Sequence, residues 1–184
     1  PQKSLIQLGN STPIRYANLL HFEEKQDLQI NSNRGVSGID GVLSTAAGAA
    51  IAKPKQACYC ITGDLAALYD SNALMNQKLK ANYKLIIINN GGGNIFKIIP
   101  GPNKLDELEE FFETKHQVEF EHLAAMYQFK YFKAETTEEL GAIFKSFTAE
   151  KEQCAVLEIK TDGEESANAL RNYFFFLKES VSLD

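Results

Sequence analysis

Two short polar motifs, each directly after an apolar run, contain the residue types that bind a divalent cation and a phosphate. The first is GDL at residues 63–65, after ACYCIT, and the second is NNGGG at residues 89–93, after LIII. Asp64 and Asn90 are twenty-six positions apart. A carboxylate oxygen of Asp64, the amide oxygen of Asn90 and the Gly92 carbonyl would fill half of the octahedral shell of Mg2+, which leaves the other half for a diphosphate and water.

The first motif also opens a predicted helix. The turn Gly63, Asp64, Leu65 and Ala66 would present free backbone N–H groups and a partial positive charge, which together can hold a phosphate. The alternative is that Asp64 only caps the helix, since aspartate is a favoured N-cap residue. Capping leaves the second motif unexplained, so we expect the two motifs to act together.

The alternation of short β-branched runs with longer segments of helical period indicates parallel strands covered by helices. The predicted fold class is therefore α/β, a doubly wound, mostly parallel sheet with helices on both faces, in a single domain over residues 1–184. Strands are predicted at Leu5–Leu8, Leu28–Ile30, Ala57–Ile61, Leu85–Asn89, Lys130–Lys133 and Ala155–Ile159. Helices are predicted at Pro13–Phe22, Val42–Ala52, Leu65–Lys80, Leu105–Glu113, Phe120–Tyr127, Thr137–Thr148 and Glu164–Leu177. Ligands of such sheets bind beyond the carboxyl ends of the strands, where both motifs lie.

Composition excludes several other functions. The formal net charge is −5, with acidic and basic residues interspersed, so nucleic acid is not an expected partner. No apolar stretch is long enough to span a bilayer, and we expect a soluble, cytoplasmic protein that does not associate with membranes. Three cysteines give no disulfide framework, and Cys58 and Cys60 are predicted to be small buried residues on one face of a strand.

Five stretches of the chain resemble thiamine-diphosphate enzymes: GNSTPIRYANLL, SNRGVSGIDGVLSTAAG, GDLAALYDSNAL, NNGGGNIFKIIP and FEHLAAMYQFKY. The GD and NN motifs are similar to the metal signature of that family, although its members usually have GDG where this chain has GDL. The resemblance is greatest to the C-terminal domains of the 2-succinyl-5-enolpyruvyl-6-hydroxy-3-cyclohexene-1-carboxylate synthases of menaquinone biosynthesis. It extends from about residue 5 to residue 160, and SNRG followed by SGIDG is its most specific part.

The resemblance implies two cofactors, thiamine diphosphate and Mg2+ or Mn2+. It implies that the metal ligands are Asp64, Asn90 and the Gly92 carbonyl. It further implies that the bulky residue Ile39 holds the cofactor in its bent, reactive conformer; without the family, Ile39 would be a packed loop residue. The remaining residues implied to contact the cofactor are Gly38, Gly63, Leu65 and Ala66.

The resemblance also implies a transferase that decarboxylates 2-oxoglutarate and adds the succinyl unit to isochorismate. Arg15 and Arg34, with Ser11 beside them, match residues that hold substrate carboxylates, a task that suits the planar guanidinium fork. Judged alone, Arg15 would be a solvated helix residue, whereas Arg34 lies in a loop of the kind that binds ligands. An apolar wall that excludes water is implied at Ile95, Phe96 and Ile99, residues that otherwise indicate packing.

In the family, the glutamate that activates the cofactor comes from an N-terminal pyrimidine-binding domain of a second subunit, and no segment here resembles that domain. We therefore expect this chain to be the C-terminal fragment of a three-domain, homo-oligomeric enzyme and to be inactive alone. Aromatic residues at positions 173–176 are candidates for contact with another subunit. The alternatives are another thiamine-diphosphate enzyme, such as an acetohydroxyacid synthase or oxalyl-coenzyme-A decarboxylase, and a non-catalytic binding or assembly module.

Overall fold

A six-stranded parallel sheet forms the framework of the chain. The computed structural model describes residues 2–23 and 27–181, and side-chain burial is given for these residues up to position 179. The strands are β1 (Leu5–Leu8), β2 (Gln29–Ser32), β3 (Cys58–Gly63), β4 (Tyr83–Asn89), β5 (Lys130–Ala134) and β6 (Ala155–Lys160). They lie in the order β2-β1-β3-β4-β6-β5, and every pairing is parallel. The predicted α/β class is therefore confirmed.

Six α-helices accompany the strands in the described residues. They are α1 (Thr12–Ala17), α2 (Val42–Ala52), α3 (Asp64–Tyr69), α4 (Phe120–Met126), α5 (Thr137–Ala149) and α6 (Gly163–Val181). Short 3-10 segments occur at Ser71–Met75, Asn94–Lys97 and Pro102–Lys104, and a π-helical turn at Leu108–Phe112. Among residues 2–23 and 27–181, no helix has the length and apolar character needed to cross a bilayer.

The chain divides into two compact units, and each is described here by itself. The sheet unit comprises Pro1–Asn89 and Glu119–Lys160, and therefore contains all six strands. The loop unit comprises Asn90–Val118 and Thr161–Asp184. The assignment of residues 1–184 to a single domain stays a prediction.

Helices cover both faces of the sheet, as the sequence predicted. One face packs against α2, α3 and α4, with Leu43 and Phe120 fully buried. The other face packs against α5 through Phe147, whose ring makes edge contacts with Tyr59 and Phe132. Because side chains alternate along a strand, Cys58 and Cys60 lie together on the first face, and both are buried as predicted.

The predicted helix Leu65–Lys80 is wrong, because α3 ends at Tyr69 and a 3-10 segment follows. The cause is Asp70, whose carboxylate accepts hydrogen bonds from the backbone N–H of Ser44 at 2.7 Å and from its hydroxyl at 2.6 Å. These bonds satisfy a free N–H group in the first turn of α2. Asp70 is 6% exposed, and this contact with α2 takes precedence over continuation of the helix.

Two further predicted helices are shorter than expected. The helix predicted at Pro13–Phe22 ends at Ala17, and bonds of 3-10 type from the N–H groups of Leu19 and Leu20 close its last turn. Asparagine at position 18 has low helix propensity, which favours this early end. The segment predicted as Leu105–Glu113 is helical only at Leu108–Phe112. It ends where the N–H of Glu113 bonds to the Leu108 carbonyl.

Candidate active site

The strand order changes direction between β1 and β3, since β2 lies beyond β1 and β4 lies beyond β3. In open α/β sheets, ligands bind beyond the carboxyl ends of the strands at such a point. The residues that follow these two strands are Gly9 and Asn10 after β1, and Asp64 after β3. The candidate site is therefore built outward from these two strand ends.

The ends of β1 and β3 are in unusually close contact. The Gly9 N–H donates to the Ile61 carbonyl at 2.7 Å. A β-carbon at Gly9 would lie 2.7 Å from Thr62 Oγ1 and 3.1 Å from Thr62 Cα, too close for any larger residue without movement. The close approach of the two strands thus explains why the GNST motif begins with glycine.

Asp64 is the first residue of α3 and is 2% exposed. Its Oδ1 accepts a hydrogen bond from the adjacent Leu65 N–H at 2.7 Å. An N-cap aspartate instead accepts from an N–H two or three residues ahead, and the N-cap position of α3 belongs to Gly63. Simple capping therefore does not describe Asp64, whereas the phosphate-binding role of Leu65 and Ala66 stays a prediction.

The register of the sheet places Asp64 next to Asn89, the first residue of the second motif. Gly63, the last residue of β3, pairs with Ile88, so Asp64 and Asn89 both follow this pair at the same edge of the sheet. Asn90 follows Asn89 by one peptide bond and is the first residue of the loop unit. Joint metal binding by Asp64, Asn90 and the Gly92 carbonyl stays a prediction.

The SNRG loop is tied to the end of β1 by Asn10, which is 5% exposed. The Asn10 carboxamide donates to the Gly38 carbonyl at 2.6 Å and to the Asn33 carbonyl at 2.9 Å. Its oxygen accepts from Arg34 Nη1 at 2.8 Å. The structure thus joins the predicted residues Arg34 and Gly38 through one side chain, and it packs Ile39 against the core while leaving it partly exposed.

The remaining predicted residues of the sheet unit are Ser11 and Arg15, at the two ends of α1. Ser11 has φ 69° and ψ −127°, a backbone conformation that is rare for residues other than glycine. Strained residues of this kind cluster at functional sites. Arg15 lies in the last turn of α1 and is exposed, which suits both a solvated residue and one that binds a substrate carboxylate.

In the loop unit, the three consecutive glycines fit closely against residues 113–116. Gly91 and Gly92 have φ of 80° and 155°, in the region that favours glycine. A β-carbon at Gly92 would lie 2.6 Å from the Glu113 carbonyl oxygen, which also accepts from the Gly93 N–H at 2.5 Å. This packing leaves no room for a side chain at Gly92.

The same unit contains the predicted apolar wall. Ile95, Phe96 and Ile99 are half-buried, and the Phe96 ring packs edge-on against Phe112 with centroids 5.5 Å apart. Lys97 pairs with Glu113 at 2.8 Å and with Glu164 at 3.3 Å. The hydrogen bond from Lys97 to Glu113 is the main reason why the pKa of Lys97 is raised.

A cavity of about 410 Å3 lies within the loop unit. Two of the predicted metal ligands, Asn90 and Gly92, are among its lining residues. Asn94 also lines it and is 6% exposed, and its Oδ1 has no hydrogen-bond partner among the described residues. A buried amide oxygen without a hydrogen bond lowers the free energy of unfolding, so a ligand that donates to Asn94 Oδ1 would be favoured in this cavity.

The donor set of the predicted metal site is oxygen only, one carboxylate with one amide and one backbone carbonyl. Within residues 2–23 and 27–181 there is no group of three or more histidine, cysteine, aspartate or glutamate residues that could hold a metal ion. This finding does not bear on the predicted set, which contains a single residue of those types. Hard oxygen donors fit Mg2+ and Mn2+ and not the softer metals.

Three buried polar residues were missed by sequence reasoning. Asn10 lies in the quoted motif GNST, but the two carbonyls to which it donates and the guanidinium from which it accepts are known only from the fold. Asp70 lies within the predicted helix Leu65–Lys80, and nothing in the local sequence indicates its contact with Ser44. Glu158 is the acidic residue in the otherwise apolar strand AVLEIK, and that interruption of β6 was the available signal.

The chain matches known proteins over most of its length. The model of the family described as "Thiamine pyrophosphate enzyme, C-terminal TPP binding domain" matches residues 9–159. The 2-succinyl-5-enolpyruvyl-6-hydroxy-3-cyclohexene-1-carboxylate synthase of Christiangramia forsetii is 42% identical over 178 residues, covering 97% of this chain and 30% of that protein. The synthase of the same name from Flavobacterium johnsoniae is 43% identical over 174 residues, covering 95% of this chain and 31% of that protein.

The corresponding synthase from Porphyromonas gingivalis is 38% identical over 177 residues, covering 96% of this chain and 30% of that protein. The chain thus spans less than a third of the length of each of these relatives. The resemblance predicted from the five stretches is confirmed. This chain belongs to the family of C-terminal TPP-binding domains of thiamine pyrophosphate enzymes.

Proposed function

We propose that this chain binds the diphosphate of thiamine diphosphate through one Mg2+ or Mn2+ ion, with Asp64, Asn90 and the Gly92 carbonyl as its protein ligands. The observation that carries the proposal is the buried Asp64 carboxylate, which leaves the sheet beside Asn89 and does not have the geometry of a simple cap. Three oxygen ligands from the chain leave three octahedral positions for diphosphate oxygens and water.

The organic part of the cofactor would lie against the SGIDG loop. Ile39 is partly exposed and anchored in the core, so its side chain is a rigid support for the bent cofactor. Gly38 is fixed by its hydrogen bond to Asn10, and Gly63 has open space where a β-carbon would be. When bound, the thiazolium ring supplies the electron sink for decarboxylation of a 2-oxo acid.

The proposed substrates are 2-oxoglutarate and isochorismate, the pair that the resemblance to the 2-succinyl-5-enolpyruvyl-6-hydroxy-3-cyclohexene-1-carboxylate synthases implies. Both carry two carboxylates, and Arg34 is an exposed guanidinium held in place by the neutral Asn10. Arg15 and Ser11 would complete the polar side of the substrate pocket. Ile95, Phe96 and Ile99 would form its dry side and would exclude water from the reacting atoms.

The glutamate that activates the cofactor would come from a pyrimidine-binding domain of a second subunit, in a homo-oligomer. Three of the buried acids that the structure describes are already engaged: Asp70 with Ser44, Glu113 with Lys97, and Glu158 with three donors. The fourth, Asp64, is assigned to the metal. The chain therefore provides half of a transferase site of menaquinone biosynthesis, and we expect no turnover of 2-oxoglutarate and isochorismate by the chain alone.

The binding half of the proposal is tested by titrating thiamine diphosphate into the chain by calorimetry, with Mg2+ and then with EDTA. We expect binding and an increase of the unfolding temperature only with Mg2+, and loss of both in Asp64→Asn. The matched control is Asp106→Asn, which removes an exposed carboxylate of the loop unit and should bind as the unmodified chain does. No response at millimolar cofactor would favour a non-catalytic module of the same fold.

The half-site part is tested separately by incubating the chain with thiamine diphosphate, Mg2+, 2-oxoglutarate and isochorismate. Robust product formation by the chain alone would contradict it, since a complete site would then be present. Product formed only from other 2-oxo acids by the intact enzyme would instead favour a different thiamine-diphosphate enzyme.

A further inference from the structure

Glu158 is a fully buried carboxylate near the carboxyl end of β6, in contact with three structural elements. It is 0% exposed. Its Oε1 accepts from Asn89 Nδ2 at 2.6 Å, and its Oε2 accepts from the Phe120 N–H at 3.0 Å and from the Tyr131 hydroxyl at 2.7 Å. The end of β4, the start of α4 and strand β5 thus converge on one side chain.

Burial of a carboxylate is expensive unless its oxygens are hydrogen-bonded. These three donors are all neutral, and the Lys160 ammonium approaches Oε1 only to 3.7 Å. A carboxylate among neutral donors is a pure acceptor, so each donor must point its hydrogen toward it. Glu158 therefore fixes not only the place of Asn89 but also the orientation of its amide, with the nitrogen toward β6.

The orientation of Asn89 has a consequence for the next residue. Asn89 is the last residue of β4, pairs with Lys160 and is 1% exposed, so the strand is held to its final position. Asn90 begins one peptide bond later, and its Cα must lie about 3.8 Å from that of Asn89. A shift of the Asn89 backbone is therefore transmitted to Asn90.

We propose that Glu158 is a positioning residue for the metal ligand Asn90, acting through the Asn89 amide. The inference rests on the proposed function, since it takes Asn90 to be a ligand. Substitution of a residue that hydrogen-bonds to a metal ligand and orients it typically weakens metal binding by about 10-fold to 100-fold. A residue that only stabilises the core would change the free energy of unfolding alone. A positioning residue would change the metal affinity as well.

The test is a titration of the chain with Mn2+ at saturating thiamine diphosphate, followed by electron paramagnetic resonance. Glu158→Gln leaves either the Phe120 N–H or the Asn89 amide facing an NH2 group, and Asn89→Asp places a second carboxylate against Glu158. We expect each variant to weaken Mn2+ binding by about 10-fold or more.

The double variant, Glu158→Gln with Asn89→Asp, exchanges the two functional groups. The amide introduced at position 158 donates to the carboxylate introduced at position 89, and its oxygen accepts from the Phe120 N–H and the Tyr131 hydroxyl. Every hydrogen bond is thereby restored, and the one between positions 158 and 89 has the reverse polarity. We expect the Mn2+ affinity of the double variant to return to near that of the unmodified chain.

Tyr131→Phe is the matched control, because it removes one hydrogen bond to Glu158 and leaves the bond to Asn89 in place. It should lower the unfolding temperature without changing Mn2+ affinity. Two results would overturn the inference: single variants with lowered unfolding temperature but unchanged Mn2+ affinity, or a folded double variant that binds Mn2+ no better than the singles. If the unmodified chain binds no Mn2+ with thiamine diphosphate, the proposed function itself fails and the inference with it.

Discussion

Replacement of Gly9 by alanine tests the close approach of β1 and β3 at the candidate site. The new β-carbon would lie 2.7 Å from Thr62 Oγ1 and 3.1 Å from Thr62 Cα, whereas ordinary contacts begin at 3.4 Å. Rotation of the Thr62 side chain cannot relieve the contact with the backbone atom, so the strand ends must separate by several tenths of an ångström. Overpacking of this kind costs about 1–3 kcal/mol.

For a chain of this size, each kcal/mol lowers the unfolding temperature by about 2–4 °C. We therefore expect Gly9→Ala to unfold about 2–12 °C below the unmodified chain in a calorimetric scan. We also expect weaker binding of thiamine diphosphate with Mg2+, because Asp64 lies two residues after Thr62. The matched control is Gly48→Ala in α2, where no atom beyond the adjacent residues and the helix's own nearby backbone lies within 4 Å of the new β-carbon. This control should gain about 0.5–1 kcal/mol from helix propensity.

A second substitution identifies the clash as the cause. Thr62 Oγ1 is buried and has no hydrogen-bond partner among the described residues, so Thr62→Ala removes the nearest atom at little cost. Gly9→Ala combined with Thr62→Ala should recover part of the lost stability but not all of it, because the contact at 3.1 Å with Thr62 Cα remains. A Gly9→Ala variant as stable as Gly48→Ala, with unchanged cofactor affinity, would refute the reasoning.

Three other predictions concern capping, strain and buried thiols. Asp70→Ala removes the acceptor of two hydrogen bonds to Ser44 and should lower the free energy of unfolding in urea by about 2–4 kcal/mol; Ser44→Ala, which keeps the backbone bond, should lose about half as much. Ser11→Gly should raise the unfolding free energy by about 1 kcal/mol, because glycine adopts φ 69° without strain, whereas Ser11→Ala should not. Burial raises the pKa of Cys58 and of Cys154 to about 11 from 9.0, so both thiols should resist iodoacetamide at pH 8 until the chain is unfolded. Because folding raises these two pKa values, the free energy of unfolding should not depend on the two thiols below about pH 9. It should decrease as the pH rises from about 9 toward 11, because the unfolded chain then loses its thiol protons more readily than the folded chain.

The strands were predictable because their apolar, β-branched residues encode both the element and its burial. β1 and α2 have the predicted bounds, and the other strands differ by one to three residues at their ends. The helix predicted from Leu65 failed for a reason that a local pattern cannot contain. Asp70 is a partner of Ser44, twenty-six residues earlier, and that contact exists only after α2 and α3 have packed together.

The candidate site shows the same division. The places of Asp64 and Asn90 after two neighbouring strands could be predicted from the sequence, because the carboxyl ends of parallel strands share one edge, and their joint role in metal binding stays a prediction. Asn10 and Glu158 could not, since the function of a buried polar residue lies in the donors and acceptors that the fold brings to it. The separation of residues 90–118 from the sheet unit was also not apparent, because no change of composition marks it.

The most direct test of the metal assignment is a crystal structure of the chain, or of the intact enzyme, grown with thiamine diphosphate and Mg2+. Our account predicts one Mg2+ ion with oxygen ligands from the Asp64 carboxylate, the Asn90 amide and the Gly92 carbonyl, each at about 2.0–2.1 Å, and with diphosphate oxygens in the same shell. A cofactor bound with its Mg2+ coordinated by other residues, and with the Asp64 carboxylate outside the coordination shell, would contradict it.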